Sequence, residues 1–177
     1  QGHLFLVNLS NYLDTGLFFD HRPLRKKVEE SAQGKSVLNL FCYTASFSVY
    51  AGKAGASKVT SVDLSNTYLS WAKKNFALNG LNAESEKFEF INGDVKSFLQ
   101  RTKVKYDIII LDPPYAAGLL TPAVKAVLPL MSDFGSIICE HPPEVKLEAQ
   151  IGEFCIHRTY RYGKVLVSVY RKGKCDE

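Results

Sequence analysis

The residues whose types and spacing carry the clearest chemistry are Asp112, Pro113, Pro114 and Tyr115. They close the run Tyr106-Asp-Ile-Ile-Ile-Leu-Asp-Pro-Pro-Tyr115. Ile108 to Leu111 are aliphatic without interruption and bounded by polar residues and prolines, the pattern of a strand buried on both faces of a helix-covered parallel sheet. Asp112 then stands at the carboxyl end of that strand, where open α/β sheets bind their ligands. Each proline fixes its own φ and turns the preceding residue away from helix. The backbone of residues 112–114 should therefore be extended and stiff, with carbonyls free to accept hydrogen bonds. Such a corner can hold an amino group on a flat substrate while Tyr115 stacks on the substrate's face, which is what an amine-methylating site requires. Two prolines after a strand also serve as a plain stop, so the weight of the assignment rests upstream.

The elements that must position this corner alternate between strand and helix. Ser36 to Phe41 reads as a strand, Cys42 to Ser46 as a tight loop, and Phe47 to Ala54 as a helix capped by Ser46 and stopped by Gly55. Lys58 to Val62 is a second strand closing on Asp63. Ser65 caps a helix through Leu78, with Leu69, Ala72 and Phe76 at helical spacing and Asn79-Gly80 as its stop. Phe88 to Ile91 is a third strand, followed by Gly93-Asp94 and a short helix from Val95 to Arg101. This order predicts right-handed crossovers and a parallel sheet. Beyond the corner come a helix over 119–130 confined by Pro122 and Pro129, a strand Ser136 to Glu140, and a short helix near Glu144 to Gln150. Phe154 to Tyr160 and Lys164 to Arg171 flank Arg161-Tyr-Gly163 as a closing hairpin. Ahead of the core, His3 to Leu9 and Thr15 to Asp20 read as short strands around a turn at 11–14. A helix then opens at Asp20-His-Arg-Pro-Leu-Arg25, with Pro23 in its first turn. The expected division is an extension over 1–33 packed on a catalytic domain over 34–177.

A chain of 177 residues suffices for one sheet with helices on both sides, and a hydrophobic content of 46% excludes a disordered chain. No stretch approaches the ~18 apolar residues of a membrane span, and no leader pattern is evident. The four cysteines are scattered without a Cys-x-x-Cys pair, which predicts neither a zinc site nor a disulfide frame; no metal ligand set is assigned and a cytoplasmic location is expected. A net charge of +4 is compatible with an anionic partner without proving one.

The strand ends also specify a cofactor. Asp63 is placed to hold two ribose hydroxyls, and Asp94 to accept from an adenine amino group. The first loop, residues 42–46, has no glycine and cannot be a Gly-x-Gly-x-x-Gly pyrophosphate cradle. An adenosine cofactor without phosphates fits better, and S-adenosylmethionine is the one that methylation needs.

Three blocks carry a family likeness. Asp14-Thr-Gly-Leu-Phe-Phe-Asp-His-Arg22, Asn39-Leu-Phe-Cys-Tyr-Thr-Ala-Ser-Phe47 and Val62-Asp-Leu-Ser…Asn79-Gly80 resemble class I S-adenosylmethionine-dependent ribosomal RNA methyltransferases. The front half looks like the large-subunit enzymes that make 5-methylcytosine or 7-methylguanine. The back half, with Glu140-His141 and the Tyr162-Gly163 hairpin, looks like the small-subunit guanine-N2 enzymes. The resemblance implies an α/β, Rossmann-like class I fold: a seven-stranded, mostly parallel sheet ending in an antiparallel hairpin, with a short N-terminal β-extension. It implies that Asp63 and Leu64 meet ribose, Asp94 and Val95 adenine, and Asn39, Phe41, Tyr43, Thr44, Ala45 and Ser46 the methionine end. Phe18, Asp20 and Arg22 would flank the cofactor, with RNA as the partner. Ala45 stands where the family usually has glycine, so its methyl is expected to crowd the methionyl group, and the insertion after Asp-Pro-Pro is missing.

The implied reaction is N-methylation of a guanine exocyclic amine in ribosomal RNA. Alternatives are 5-methylcytosine or 7-methylguanine formation, adenine or protein-amide methylation, and a non-catalytic RNA-binding module. Cys139 and Cys42 read as core residues unless the product is 5-methylcytosine. His141 reads either as an aid to proton removal or as a surface residue. The basic residues Arg158, Arg161, Lys164, Arg171, Lys172 and Lys174 read equally as phosphate contacts or as edge-strand charges.

Overall fold

The computed structural model describes residues 2–10, 15–115 and 118–173. Four central strands, β1 (Ser36–Leu40), β2 (Lys58–Asp63), β3 (Phe88–Asn92) and β4 (Tyr106–Leu111), run parallel with β5 (Met131–His141). β8 (Val165–Lys172) returns antiparallel along β5, β7 (Phe154–Tyr162) pairs with β8, and the two-residue β6 (Gln150–Ile151) closes the edge. The order β3-β2-β1-β4-β5-β8-β7-β6 makes eight strands, one more than expected, because β6 is too short to leave a periodic signal. The helices are α1 (Arg22–Ser31), α2 (Ser46–Lys53), α3 (Asn66–Leu78), α4 (Val95–Arg101) and α5 (Leu120–Val127).

The aliphatic run of β4 is buried as its pattern predicts, since each face meets a separate cluster. Ile109 and Leu111 pack with Phe98, Val124 and Ile137 on one side, and Ile108 and Ile110 with Leu24, Val28 and Phe47 on the other. Ser65 caps α3 by accepting from Tyr68 N, and Asp94 caps α4 by accepting from Ser97 N. At α2 the cap is Ala45 rather than Ser46.

Two expectations fail because backbone groups find partners outside the expected strand and helix. The chain before α1 forms no strand among its described residues. Leu4 exchanges two hydrogen bonds with the Asn79 amide, and Leu6 N donates to Asn75 Oδ1, so the segment is held as extended chain along α3. The turn expected at 11–14 lies outside the described residues. After β5, residues 142–149 form a turn and coil rather than a helix. Val145 N donates to Pro142 O, and the Tyr170 hydroxyl holds Glu148 O at 2.6 Å. Cys155 is disulfide-bonded, against the expectation from spacing, because the hairpin brings the end of β8 back beside the start of β7. Cys42 and Cys139 are free and buried. No helix among the described residues is long and apolar enough to cross a membrane.

Asp107 ties the lower ends of three strands together. Its carboxylate accepts from Ser36 N at 2.9 Å, Ser36 Oγ at 3.0 Å and Ser132 Oγ at 2.7 Å, where the β4–β5 register shifts. Burial opposes ionisation there, but the Ser36 and Ser132 hydrogen bonds outweigh it and hold the carboxyl below its ordinary value. Asp107→Ala should destabilise the protein by about 1 kcal/mol, the cost of orphaning half-buried donors, read as a lower urea midpoint. The Asp107 contribution is complete above the unfolded carboxyl value of about 3.9 and vanishes as pH falls through the folded one. The difference between wild type and Asp107→Ala should therefore shrink in acid.

Candidate active site

Parallel strands deliver their carboxyl ends to one edge of the sheet, and that edge opens into a cavity of about 570 Å³. Its walls include Phe18, Asp20, Phe41, Tyr43, Asp63, Leu64, Asp94, Val95 and the corner Asp112, Pro113, Pro114 and Tyr115. The size lies within the range of small-molecule sites.

The loop after β1 is strained. Phe41, Tyr43 and Ala45 all have left-handed backbone, with φ of 58°, 51° and 58°, a conformation that side chains disfavour. Asp63 at the end of β2 holds this loop. Its Oδ2 accepts from Tyr43 N and its Oδ1 from Ser65 N, both at 2.8 Å. Each oxygen retains a lone pair, the acceptor set that two vicinal hydroxyls would use. Burial leaves the Asp63 carboxyl somewhat above its ordinary value despite these bonds. Phe18, Tyr43 and Tyr68 form an aromatic wall, with Tyr43 meeting Tyr68 edge to face at 4.5 Å.

At the corner, the groups interlock. Glu140, at the end of β5, is only 3% exposed. Its Oε1 lies 2.7 Å from His21 Nε2 and accepts from the Tyr115 hydroxyl at 2.7 Å. The other imidazole nitrogen is 3.8 Å from Asp112 Oδ2, and the His21 ring stacks on Phe47 at 5.5 Å. Burial alone would lower the imidazole; the Glu140 hydrogen bond and the Asp112, Glu140 and Asp20 carboxylates overcome it and raise His21. Asp112 is pushed up to about 7, chiefly by burial and then by the Glu140 charge. Burial and the hydrogen bond to Glu140 raise the Tyr115 phenol and keep it protonated. His21, Asp112 and Glu140 each bring one ligand-type atom within 4.8 Å of the others, and a mutual hydrogen bond already occupies two of them.

Five of the expected cofactor residues do not line the cavity. Arg22 is exposed on the first turn of α1, one residue past the position that turns inward. Asn39 is buried in β1, where its amide donates to Ser48 Oγ. Thr44 donates to Gly16 O at 2.7 Å, pinning the pre-helix segment instead. The Ala45 methyl packs into the core with Val49, Leu69 and Phe76, so it does not crowd the cavity. Ser46 starts α2.

Conversely, His21, Tyr68, Gly93, Leu119 and Glu140 line it unpredicted. Glu140 had a signal: it ends an apolar strand as Asp112 does, and the pairing Leu111↔Cys139 makes the two acids neighbours. His141, read as catalytic or as a surface residue, is buried and bonded to Ser168 Oγ at 2.9 Å.

A parallel sheet with a cavity at its carboxyl edge, and carboxylates at the ends of β2, β3, β4 and β5 around it, is the arrangement of a class I methyltransferase. Residues 1–145 match the family of S-adenosylmethionine-dependent methyltransferases, and the chain belongs to that family. S-Adenosylmethionine is its cofactor. The site fits a net-cationic sulfonium nucleoside: Asp20, Asp63, Asp94, Asp112 and Glu140 surround it, with His21 as the basic group among its lining residues. Among relatives, the ribosomal RNA large subunit methyltransferase K/L of Psychrobacter cryohalolentis is 52% identical over 114 residues, 64% of this chain and 15% of that protein. The namesake from Alteromonas mediterranea is 58% identical over 114 residues, 64% of this chain and 16% of that protein. The chain thus spans about 15% of the length of the curated relatives it matches. The crystal structure of SMU.776, a methyltransferase complexed with SAH, superposes with a TM-score of 0.86 at 26% identity, covering 96% of this chain and 53% of that one.

Asp112 and His21 both bind protons more tightly folded than unfolded, so this cluster favours folding at low pH. Stability from it should fall as pH rises from about 4, where an unfolded Asp titrates, through about 7 and on past the raised His21 value. Asp112→Asn should flatten that decline in thermal melts of the ligand-free protein.

Proposed function

We propose that the protein transfers a methyl group from S-adenosylmethionine to the exocyclic amine of a guanine in ribosomal RNA. The observation that carries this is the tether between Tyr115 and Glu140. It fixes a half-exposed aromatic ring beside Asp112 and two prolines, at the mouth of the cofactor cavity. The ribosomal RNA names of the relatives support the polymer.

When bound, the cofactor supplies an electrophilic methyl on a positively charged sulfur. The chain's own residues supply position and a proton acceptor. A base amine is a poor nucleophile because its lone pair is delocalised into the ring. Asp112 and the Pro113 carbonyl accept its N–H groups and favour a nitrogen whose lone pair points at the donor. The Asp112 carboxylate would accept the proton that the amine sheds on methylation. A group poised near pH 7 is well matched to that transfer. Tyr115 stacks on the base, which must first leave any helix; such stacking is worth about 1–3 kcal/mol. His21, set between Glu140 and Asp112, holds Glu140 and through it the Tyr115 hydroxyl.

A specific observation weighs against cytosine-C5 methylation. That reaction needs a thiolate in the cavity, yet Cys42 and Cys139 do not line it and burial pushes both thiols up. Methylation at guanine N7 would make no use of an amine-accepting corner.

Mass spectrometry of nucleosides from ribosomal RNA incubated with the protein and labelled cofactor should show the label in N2-methylguanosine; label only in 7-methylguanosine or 5-methylcytidine overturns the assignment. Asp112→Ala should lower kcat by about 10²–10⁴-fold and leave cofactor Kd within threefold (roughly 0.6 kcal/mol). Asp63→Ala should weaken cofactor binding about tenfold or more, since hydrogen bonds to a charged group are worth about 1.5–3 kcal/mol.

A further inference from the structure

Beside α1 a second groove, of about 330 Å³, runs between that helix and the outer strands β7 and β8. Lys27 and Glu30 enter it from α1, Arg158 and Tyr160 from β7, and Arg171 from β8. The Lys27 ammonium lies 4.3 Å and the Arg158 guanidinium 5.9 Å from the centre of the Tyr160 ring. Tyr160 in turn stacks on Tyr162, with centroids 6.2 Å apart and planes 10° from parallel. An Arg158 hydrogen bond, with the Lys27 and Arg158 charges, holds the Tyr160 hydroxyl below its ordinary value.

A backbone irregularity builds this surface. Ile156 pairs with Tyr170 but Arg158 pairs with Val169, so β7 carries one extra residue at His157. Strand side chains alternate faces, and one extra residue reverses every later one. Arg158, Tyr160 and Tyr162 are thereby turned to the face of Val165, Val167 and Val169, where α1 packs, instead of the Tyr170 face. The basic groups there outnumber Glu30, the acid that shares the groove. Among the described residues none of Lys27, Arg158 and Arg171 forms an ion pair, whereas the adjacent Lys172 is paired with both Asp133 and Glu153.

The groove lies within reach of the corner at Glu140. Val167 pairs with Glu140 on one side and Tyr160 on the other, which sets Tyr160 two strand spacings, about 10 Å, from the Glu140 position. Lys27 lies six residues after His21, about 9 Å along the helix. Unpaired cations around a half-buried aromatic ring match a single-stranded polyanion with flat bases.

We propose that this groove holds the RNA strand next to the target nucleotide, with Lys27, Arg158 and Arg171 on phosphates and a neighbouring base on Tyr160. This rests on RNA being the substrate. The test measures methyl transfer to deproteinised ribosomal RNA over a range of RNA and salt concentrations, with cofactor binding followed separately. Lys27→Ala/Arg158→Ala should raise KM for RNA about tenfold. The salt slope should fall by about 1.4, roughly 0.7 for each lost single-strand phosphate contact. Cofactor Kd and kcat at saturating RNA should stay unchanged. Tyr160→Phe should retain RNA affinity and Tyr160→Leu lose it. Lys87→Ala/Lys103→Ala, an equal charge loss at exposed sites outside the groove, should leave KM as in wild type. If the groove variant keeps wild-type KM and salt slope, or the Lys87/Lys103 variant weakens RNA equally, the groove assignment is wrong while the RNA substrate stands. If the wild-type protein binds cofactor but neither binds nor methylates RNA, the substrate assignment falls and takes the groove with it.

Discussion

A carboxylate buried at the end of a central strand is the constraint on which the corner around Asp112 depends. Glu140 has lost nearly all its water, and an isolated charge in that position would be costly. One imidazole and one phenol replace the solvent. His21 precedes α1 and Tyr115 follows the two prolines, so a single oxygen joins three segments distant in the chain. Removing either partner would leave the acid under-compensated, which is why the corner behaves as a unit.

The same economy holds the cofactor side. Three left-handed residues in a loop without glycine cost roughly 1–2 kcal/mol each, and Asp63 opposes that cost by accepting from the loop and from α3 together. The strained turn clears the cavity by directing the Ala45 methyl into the core beneath α3. Strain is thus concentrated in the loop that lines the cavity, and regular helices and strands on either side hold it. Asn75 and Asn79 extend the scheme outward, as amide side chains of α3 fasten the N-terminal segment that carries Phe18 and His21 toward the site.

Charge is partitioned across the molecule in a way that suits two different ligands. The cavity at the carboxyl edge of the sheet is acidic and aromatic, as a cationic nucleoside requires. The hairpin face beside α1 is basic and aromatic. A one-residue bulge in β7 turns to the α1 side of the sheet a surface that would otherwise have faced the α5 side.

The sequence alone determined whatever depends on local pattern. The buried run of β4 announced a parallel sheet, Ser65 and Asp94 marked helix starts, and the acids after β2, β3 and β4 marked the cavity's rim, because periodicity and strand-end position are read along the chain. Only the tertiary structure decided which neighbours of those residues face inward. His21 rather than Arg22 reaches the corner, since one residue at the start of a helix swings the side chain by a large angle. Glu140 becomes a partner of Asp112 through the register of β4 against β5, and Thr44 and Asn39 are spent on fastening the scaffold. Register, bulges and cross-chain hydrogen bonds bring together residues far apart in the chain, so no local pattern encodes them.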